Sequence, residues 1–247
     1  MILTEPRILW RMLLGQPTRG GLAERLEGFY APQADRYDAT RESLLHGRRA
    51  LAALLEPKPG SVLVELGAGT GSLPDRLGER SRRCERIYLV DLCRPLLDVA
   101  RRRVVDRPNV TIVEADAAAF RPPAAVDTVV FSYSLSMMPD WHAALENAFT
   151  MLKPGGVIAV TDFYVSRRVP PTGLERHGPL TRSFWPAWFD RDGVRLNPDV
   201  LPLLMRRFEP GTVLERLGSV PGLPFVRVPY FVFLGRKPLP TRYLHPT

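Results

Sequence analysis

Between residues 57 and 163 the chain alternates short apolar runs with longer amphipathic stretches. The runs 61–66, 86–91, 109–114, 126–132 and 157–163 are rich in Val, Ile and Leu and read as strands. Residues 71–80, 94–105 and 140–152 between them read as helices, and Lys153-Pro154-Gly155-Gly156 as a turn. This alternation predicts an α/β fold, a parallel sheet with helices on both faces. Ligands of such sheets bind at the carboxyl ends of the strands, near the switch in strand order.

The flanks follow other patterns. Residues 1–28 predict a basic helix, with Ile8, Leu9, Trp10, Met12, Leu13 and Leu14 apolar and Arg7 and Arg11 one turn apart. It suits either an interfacial helix or one docked on the body or on a second subunit. Residues 22–56 read as helix, turn, helix, interrupted at Pro32 and ended by Pro57 and Pro59-Gly60. Residues 164–210 lose the alternation and concentrate Pro, Arg and aromatics, including F-W-P-A-W-F at Phe184–Phe189, as expected of a lid or substrate wall. Residues 212–220 and 225–235 predict two final strands. The expected division is a helical cover over 1–56, an α/β domain over 57–237 containing the 164–210 insertion, and a loose tail over 238–247.

Composition narrows the classes. With 247 residues the chain is one large domain, or one domain with a lid, and an apolar fraction of 45% supports a real core. The charge of +8 is carried almost wholly by arginine, since Lys58, Lys153 and Lys237 are the only lysines. That balance fits an anionic membrane surface or nucleic acid, while a GC-rich genome would account for the Arg-to-Lys ratio alone. Cys84 and Cys93 form neither a metal motif nor a disulfide framework, which suggests a reducing cytoplasm. No stretch reaches the ~18–20 apolar residues of a spanning helix, so a soluble or peripheral protein is expected.

The chemistry concentrates at V-L-V-E-L-G-A-G-T-G (Val62 to Gly71), followed by I-Y-L-V-D ending at Asp91. A dinucleotide site needs G-x-G-x-x-G facing a pyrophosphate. Here the glycines run Gly67, Gly69, Gly71, and Glu65 stands at the mouth of the loop, poorly placed beside phosphate. A carboxylate there suits a ligand with an ammonium group. The motif resembles that of the class I S-adenosylmethionine-dependent methyltransferases. The resemblance implies a Rossmann-like, doubly wound, mostly parallel seven-stranded sheet with a reversed C-terminal strand. S-adenosyl-L-methionine would then be held by Glu65 at its ammonium and by Asp91 at its ribose. Gly67 and Gly69 would let the backbone approach, and Leu92 would pack on adenine. Asp116 and Ala117 would read the adenine edge, although Asp116 also suits a helix N-cap. Ser132 ends the fourth strand beside the cofactor, and Tyr37 and Arg41 from the cover would reach its methionine end.

The fourth strand runs into S-Y-S-L-S-M-M-P-D-W (Ser132 to Trp141), where acceptor chemistry sits in this fold. It lacks the D/N-P-P-Y/F signature used on nucleobase amines, and no nucleic-acid partner is expected. Tyr133 and Tyr37 are the candidate catalytic positions. Asp140 reads equally as an N-cap or a ligand group, and His46, His142 and His177 are dispersed.

Several segments together resemble one family: F-Y-A-P-Q-A-D-R-Y-D-A-T-R, L-L-H-G-R, Y-S-L-S-M-M-P-D-W, L-K-P-G-G with T-D-F, F-W-P-A-W-F and R-V-P-Y-F-V-F-L-G-R-K. They are similar to the bacterial diacylglyceryl-homoserine N-methyltransferases over about residues 25–237. These complete the betaine lipid diacylglyceryl-trimethylhomoserine by three methyl transfers. The resemblance implies a peripheral enzyme acting on a lipid substrate at the cytoplasmic membrane surface. It also implies supply of the precursor by an aminocarboxypropyl transferase. A homodimer fits as well. A quaternary ammonium product suits an aromatic cage, for which Tyr30, Tyr133, Trp185, Trp188 and Tyr230 are candidates. The homoserine carboxylate suits an arginine fork, with Arg41, Arg48 and Arg227 as candidates. Phosphatidylethanolamine and small soluble amines are the alternative acceptors.

Overall fold

The computed structural model describes residues 20–221 and 223–240. The apolar part of the predicted N-terminal helix and most of the predicted loose tail lie outside them. The helical cover holds α1 (Leu22–Tyr30), a 3-10 turn (Ala31–Arg36), α2 (Tyr37–Arg41) and α3 (Gly47–Leu54). The α/β domain then runs β1 (Val62–Leu66), α4 (Leu73–Leu77), α5 (Glu79–Arg82), β2 (Arg86–Asp91), α6 (Arg94–Arg103), β3 (Val110–Glu114), β4 (Val126–Ser132), α7 (Trp141–Met151) and β5 (Leu152–Phe163). The insertion contributes α8 (Pro179–Asp190) and α9 (Val200–Arg207). A hairpin of β6 (Glu209–Val220) and β7 (Leu223–Arg236) completes the sheet.

The seven strands lie in the order β3-β2-β1-β4-β5-β7-β6. All neighbours are parallel except the pairs made by β7, which runs antiparallel to both β5 and β6. The order reverses between β1 and β4, so a crevice opens at their carboxyl ends.

Central strands are apolar on both sides because both sides are covered. On one face Val64, Leu66, Phe131 and Val160 pack under Leu145 and Ala148 of α7 and Leu201 and Leu204 of α9. On the other, Leu63, Val130 and Ala159 pack against Leu51 of α3 and Leu73 and Leu77 of α4. Two predicted elements differ in detail. The helix expected over 71–80 is broken at Gly78, whose φ of 56° ends α4 before α5 begins. The turn at 153–156 is absorbed into β5 as an irregularity, with Leu152 pairing Val126 and Val157 pairing Thr128.

The cover is fastened through charge. Thr70 Oγ1 donates to Asp38 at 2.8 Å, and Arg103 reaches the same carboxylate at 2.5 Å. Arg76 forks onto Glu42 and holds its carboxyl down at about 2. Among the described residues no helix is long and apolar enough to cross a membrane.

Gly47 begins α3 where it meets β5 edge-on. A Cβ there would lie 1.9 Å from Thr161 Oγ1 and 3.2 Å from the Tyr133 hydroxyl. Thr161 is fully buried and donates to the Phe231 carbonyl, so it has little room to yield. Gly47→Ala is expected to cost about 1–3 kcal/mol by overpacking, read from the urea midpoint. An unchanged midpoint would show that α3 can shift freely on the sheet.

Candidate active site

The loop after β1 turns sharply over the strand ends. Gly67 has φ of 76°, and a Cβ there would stand 2.3 Å from the Ser134 Cβ. The close approach is fixed from the other side, because Ser134 Oγ donates to the Leu66 carbonyl at 2.8 Å. Gly69 donates its N–H to Asp91 Oδ2 at 2.7 Å, while Cys93 N–H donates to Oδ1 at 2.8 Å. Asp91 thus ties the glycine loop to the turn after β2. Burial nevertheless pushes its carboxyl above the usual range.

These loops border a cleft of about 210 Å³ at the switch in strand order. Tyr30, Tyr37, Arg48, Gly67, Gly69, Asp91, Leu92, Asp116, Ala117, Ser132 and Tyr133 all line it. The structure therefore brings together most residues expected at the cofactor. No helix starts at Asp116, so the alternative helix N-cap is not formed; its carboxylate accepts from Ala118 N–H at 2.8 Å within a turn. Asp140 caps α7 by accepting from Ala143 N–H at 3.0 Å and lines the cleft as well.

Glu65 lies two residues before Gly67 on β1, only 4% exposed. Its Oε2 has no hydrogen-bond partner among the described residues. Burial pushes its carboxyl up to about 8, against the opposing pull of Arg48 on the cleft wall. A buried carboxylate without a donor is costly and rare. Glu65, expected at the cofactor, is not among the residues lining the cleft; it lies two residues before Gly67, which does line it.

Tyr133 stands between this cleft and a second, much smaller cavity of about 50 Å³. Its φ of 54° is the only left-handed value at a non-glycine residue among those described. Tyr133 N–H donates to the Thr161 carbonyl at 2.7 Å, and its hydroxyl accepts from Gly47 N–H at 3.0 Å. Burial raises its phenol well above the usual range, so Tyr133 stays neutral and is no base at working pH. The second cavity is walled by Phe29, Tyr30, Tyr37, Tyr133, Phe163 and Phe189, with Arg41 and Asp192 as its charged members. Its rings pack closely: Tyr133 and Phe163 centroids are 4.6 Å apart, and Phe163 stacks on Phe189 at 4.8 Å. Below it, Asp162 accepts from Ser136 N–H at 2.9 Å and Ser136 Oγ at 2.6 Å. Burial lifts the Asp162 carboxyl to about 6 while these bonds hold the 132–138 loop.

Six further expectations need correction. Arg41, expected at the cofactor, lines the second cavity and not the cleft. Arg48, expected at the acceptor, lines the cleft, pairs with Asp38 at 3.6 Å and lies 5.8 Å from the Tyr37 ring centre. Trp185 is buried beside Phe189 on the inner face of α8, ring centroids 5.6 Å apart, but only Phe189 reaches the cavity wall. Trp188 falls on the outer face of that helix, 44% exposed. Tyr230 stacks against His46 at 6.0 Å, and Arg227 is exposed on β7. Sequence reasoning missed Phe163, Phe189 as a wall residue, and Asp192. The first two stand in the singled-out T-D-F and F-W-P-A-W-F segments, whereas nothing in the sequence distinguishes Asp192.

Residues 64–160 match the family described as a methyltransferase domain. The ubiquinone/menaquinone biosynthesis C-methyltransferase UbiE of Hydrogenovibrio crunogenus is 27% identical over 150 residues, covering 57% of this chain and 59% of that protein. The demethylmenaquinone methyltransferase of Thermus thermophilus is 35% identical over 138 residues, covering 53% and 62%. The chain thus spans less than two thirds of the length of these curated relatives. The N-methyltransferase NodS from Bradyrhizobium japonicum, solved with S-adenosyl-L-homocysteine, aligns with a TM-score of 0.56 at 17% identity, covering 82% of this chain and 88% of that one. The architecture is the class I methyltransferase fold, with the reversed strand β7.

Glu65 makes stability depend on pH. Its folded value of about 8 is raised above the ordinary 4.5. Its contribution is therefore fully present below about pH 4.5 and lost as pH rises through 8. Glu65→Gln, which cannot ionise, is expected to gain on the wild type across that window, by on the order of a few kcal/mol at its upper end. Urea denaturation of both proteins at the two ends of the window checks this. A constant difference would mean that the Glu65 carboxyl is not held in a desolvated place.

Proposed function

We propose that the protein is an S-adenosylmethionine-dependent N-methyltransferase that trimethylates the amino group of diacylglyceryl-homoserine, giving the betaine lipid diacylglyceryl-trimethylhomoserine. The observation that carries this reading is the aromatic chamber that meets the cleft at Tyr133. Tyr30, Tyr37, Tyr133 and Met137 line both cavities. S-adenosylmethionine, when bound, supplies the electrophilic methyl group. The chain's own part is to bind and orient. Glu65 suits the methionine ammonium, and Asp91, already shaping the glycine loop, borders the ribose position. Tyr133 stands where donor and acceptor meet, as a neutral, fixed wall. The chamber beyond offers ring faces to a nitrogen that gains permanent positive charge, an attraction strengthened where water is excluded.

The insertion supports a lipid acceptor. On α8, Leu180, Phe184 and Trp188 are exposed at 86%, 46% and 44% and follow i, i+4, i+8 spacing, so they form one outward apolar stripe. Trp185 and Phe189 occupy the inner face of the same helix. A helix with one face toward the chamber and another toward acyl chains is suited to a headgroup entering from a membrane surface. The named activities of the curated relatives favour a second reading, C-methylation of a quinol ring, for which a charged chamber has no evident use.

Methyl transfer from labelled S-adenosylmethionine should be measured with diacylglyceryl-homoserine, phosphatidylethanolamine and a demethylated menaquinol, each in mixed micelles. Mono-, di- and trimethylated homoserine lipid is the expected outcome. Label only in phosphatidylethanolamine or only in the quinol would replace the acceptor accordingly. In co-sedimentation with vesicles containing anionic lipid, replacing Leu180, Phe184 and Trp188 together by Ser is expected to reduce binding several-fold. Undiminished binding would remove α8 from the membrane-facing surface.

A further inference from the structure

The chamber contains one carboxylate whose presence the fold does not require. Asp192 lies in the turn after α8, which is held by its own backbone. Asp192 N–H donates to the Phe189 carbonyl at 3.0 Å, and Arg195 N–H donates to the Ser136 carbonyl at 2.7 Å. Gly193, with φ of 71°, completes the reversal. The side chain takes no part in this. Asp192 Oδ1 is buried and has no hydrogen-bond partner among the described residues, although it borders a cavity. Burial lifts the carboxyl to about 6, against the pull of Arg41 on the same wall. A desolvated acceptor of this kind costs stability in the free protein. An alanine there would avoid that cost and leave the turn intact.

The surroundings specify what would repay the carboxylate. Tyr30, Tyr133, Phe163 and Phe189 present aromatic surface around it. One carboxylate among ring faces is a recognition set for an alkylammonium, by charge pairing and cation–π attraction together. A quinol could offer that carboxylate a hydroxyl hydrogen bond, but neither the charge pairing nor the cation–π attraction of an ammonium.

Resting on the reading of the chamber as an amine-acceptor site, we propose that Asp192 is its specificity determinant: its buried Oδ1 pairs with the ammonium of the incoming headgroup and remains as counter-charge to the quaternary product. It is a binding residue, separate from the methyl donor. Arg41 on the opposite charge keeps the chamber near neutrality, which suits a headgroup carrying both an ammonium and a carboxylate.

The test separates charge from shape, using the full chain. Glycine betaine and 3,3-dimethylbutanoate have the same outline, but only the first carries a quaternary nitrogen. Binding of each is followed by calorimetry with wild type, Asp192→Asn and Asp192→Ala, with S-adenosylmethionine affinity as the control for an intact fold. Wild type is expected to prefer the betaine by about tenfold or more. Both variants are expected to lose most of that preference with S-adenosylmethionine affinity unchanged. In methyl transfer they should raise the acceptor KM more than they lower kcat. A wild type that does not discriminate, including one that binds neither probe, overturns the proposal. So does a preference that persists in Asp192→Asn. Should the charge preference depend on Asp192 while no lipid is methylated, only the lipid acceptor is wrong. Should trimethylated lipid form with an unchanged KM in Asp192→Asn, only the role of Asp192 is wrong.

Discussion

Tyr133 occupies a backbone conformation that side chains rarely adopt, and the rest of the site is arranged around it. A left-handed non-glycine residue carries a local cost of about 1–3 kcal/mol. It is held here by a hydrogen bond from its own N–H to β5 and by one to its hydroxyl from the first residue of α3. Both supports come from residues that must approach closely, and Gly47 is the one residue type that lets α3 come near enough. The contortion turns the ring across the line between cleft and chamber. Tyr133 shares the wall between the two cavities with Tyr30, Tyr37 and Met137.

The second constraint is electrostatic. Glu65, Asp91 and Asp162 are all carboxylates at strand ends, and burial raises all three. Asp91 and Asp162 are compensated by backbone and hydroxyl donors and hold loops in place. Glu65 and Asp192 each keep an oxygen without a donor. The two kinds have different uses. Satisfied carboxylates are scaffolding, whereas unsatisfied ones mark places where a cation is to arrive. Asp192 borders the chamber, whereas Glu65 lies on β1 just before the glycine loop and is not itself part of the cleft lining.

Sequence reading was most effective where the determinants are local. The strand runs, the glycine spacing and the carboxylate at Asp91 lie within one βαβ unit, and periodicity reports such units directly. Two final strands were legible in the same pattern, whereas the reversal of the last strand was implied by the resemblance to class I methyltransferases. Details set by tertiary contact were less legible. The turn residues Lys153 to Gly156 are drawn into β5 because Leu152 still finds a partner in Val126. The aromatic helix was recognised, but not which face turns inward, since α8 carries rings on both sides: Phe184 and Trp188 outside, Trp185 and Phe189 inside. Asp192 had no signature at all, because a carboxylate in a turn is ordinary until the fold buries it.

This division explains how far similarity can speak for the protein. The matched methyltransferase segment, residues 64–160, contains the glycine loop, Asp91, Asp116 and Tyr133. Of the chamber it includes only Tyr133, Ser136 and Met137. Phe29, Tyr30, Tyr37 and Arg41 precede it, and Phe163, Phe189 and Asp192 follow it. The chamber thus draws most of its wall from outside the matched segment, from the cover, the end of β5 and the insertion. A match confined to that segment speaks for the fold and leaves the acceptor to be argued separately. The proposal of an amine acceptor therefore rests on the chamber, on its rings and its one buried, unpartnered carboxylate oxygen, and not on the matched segment.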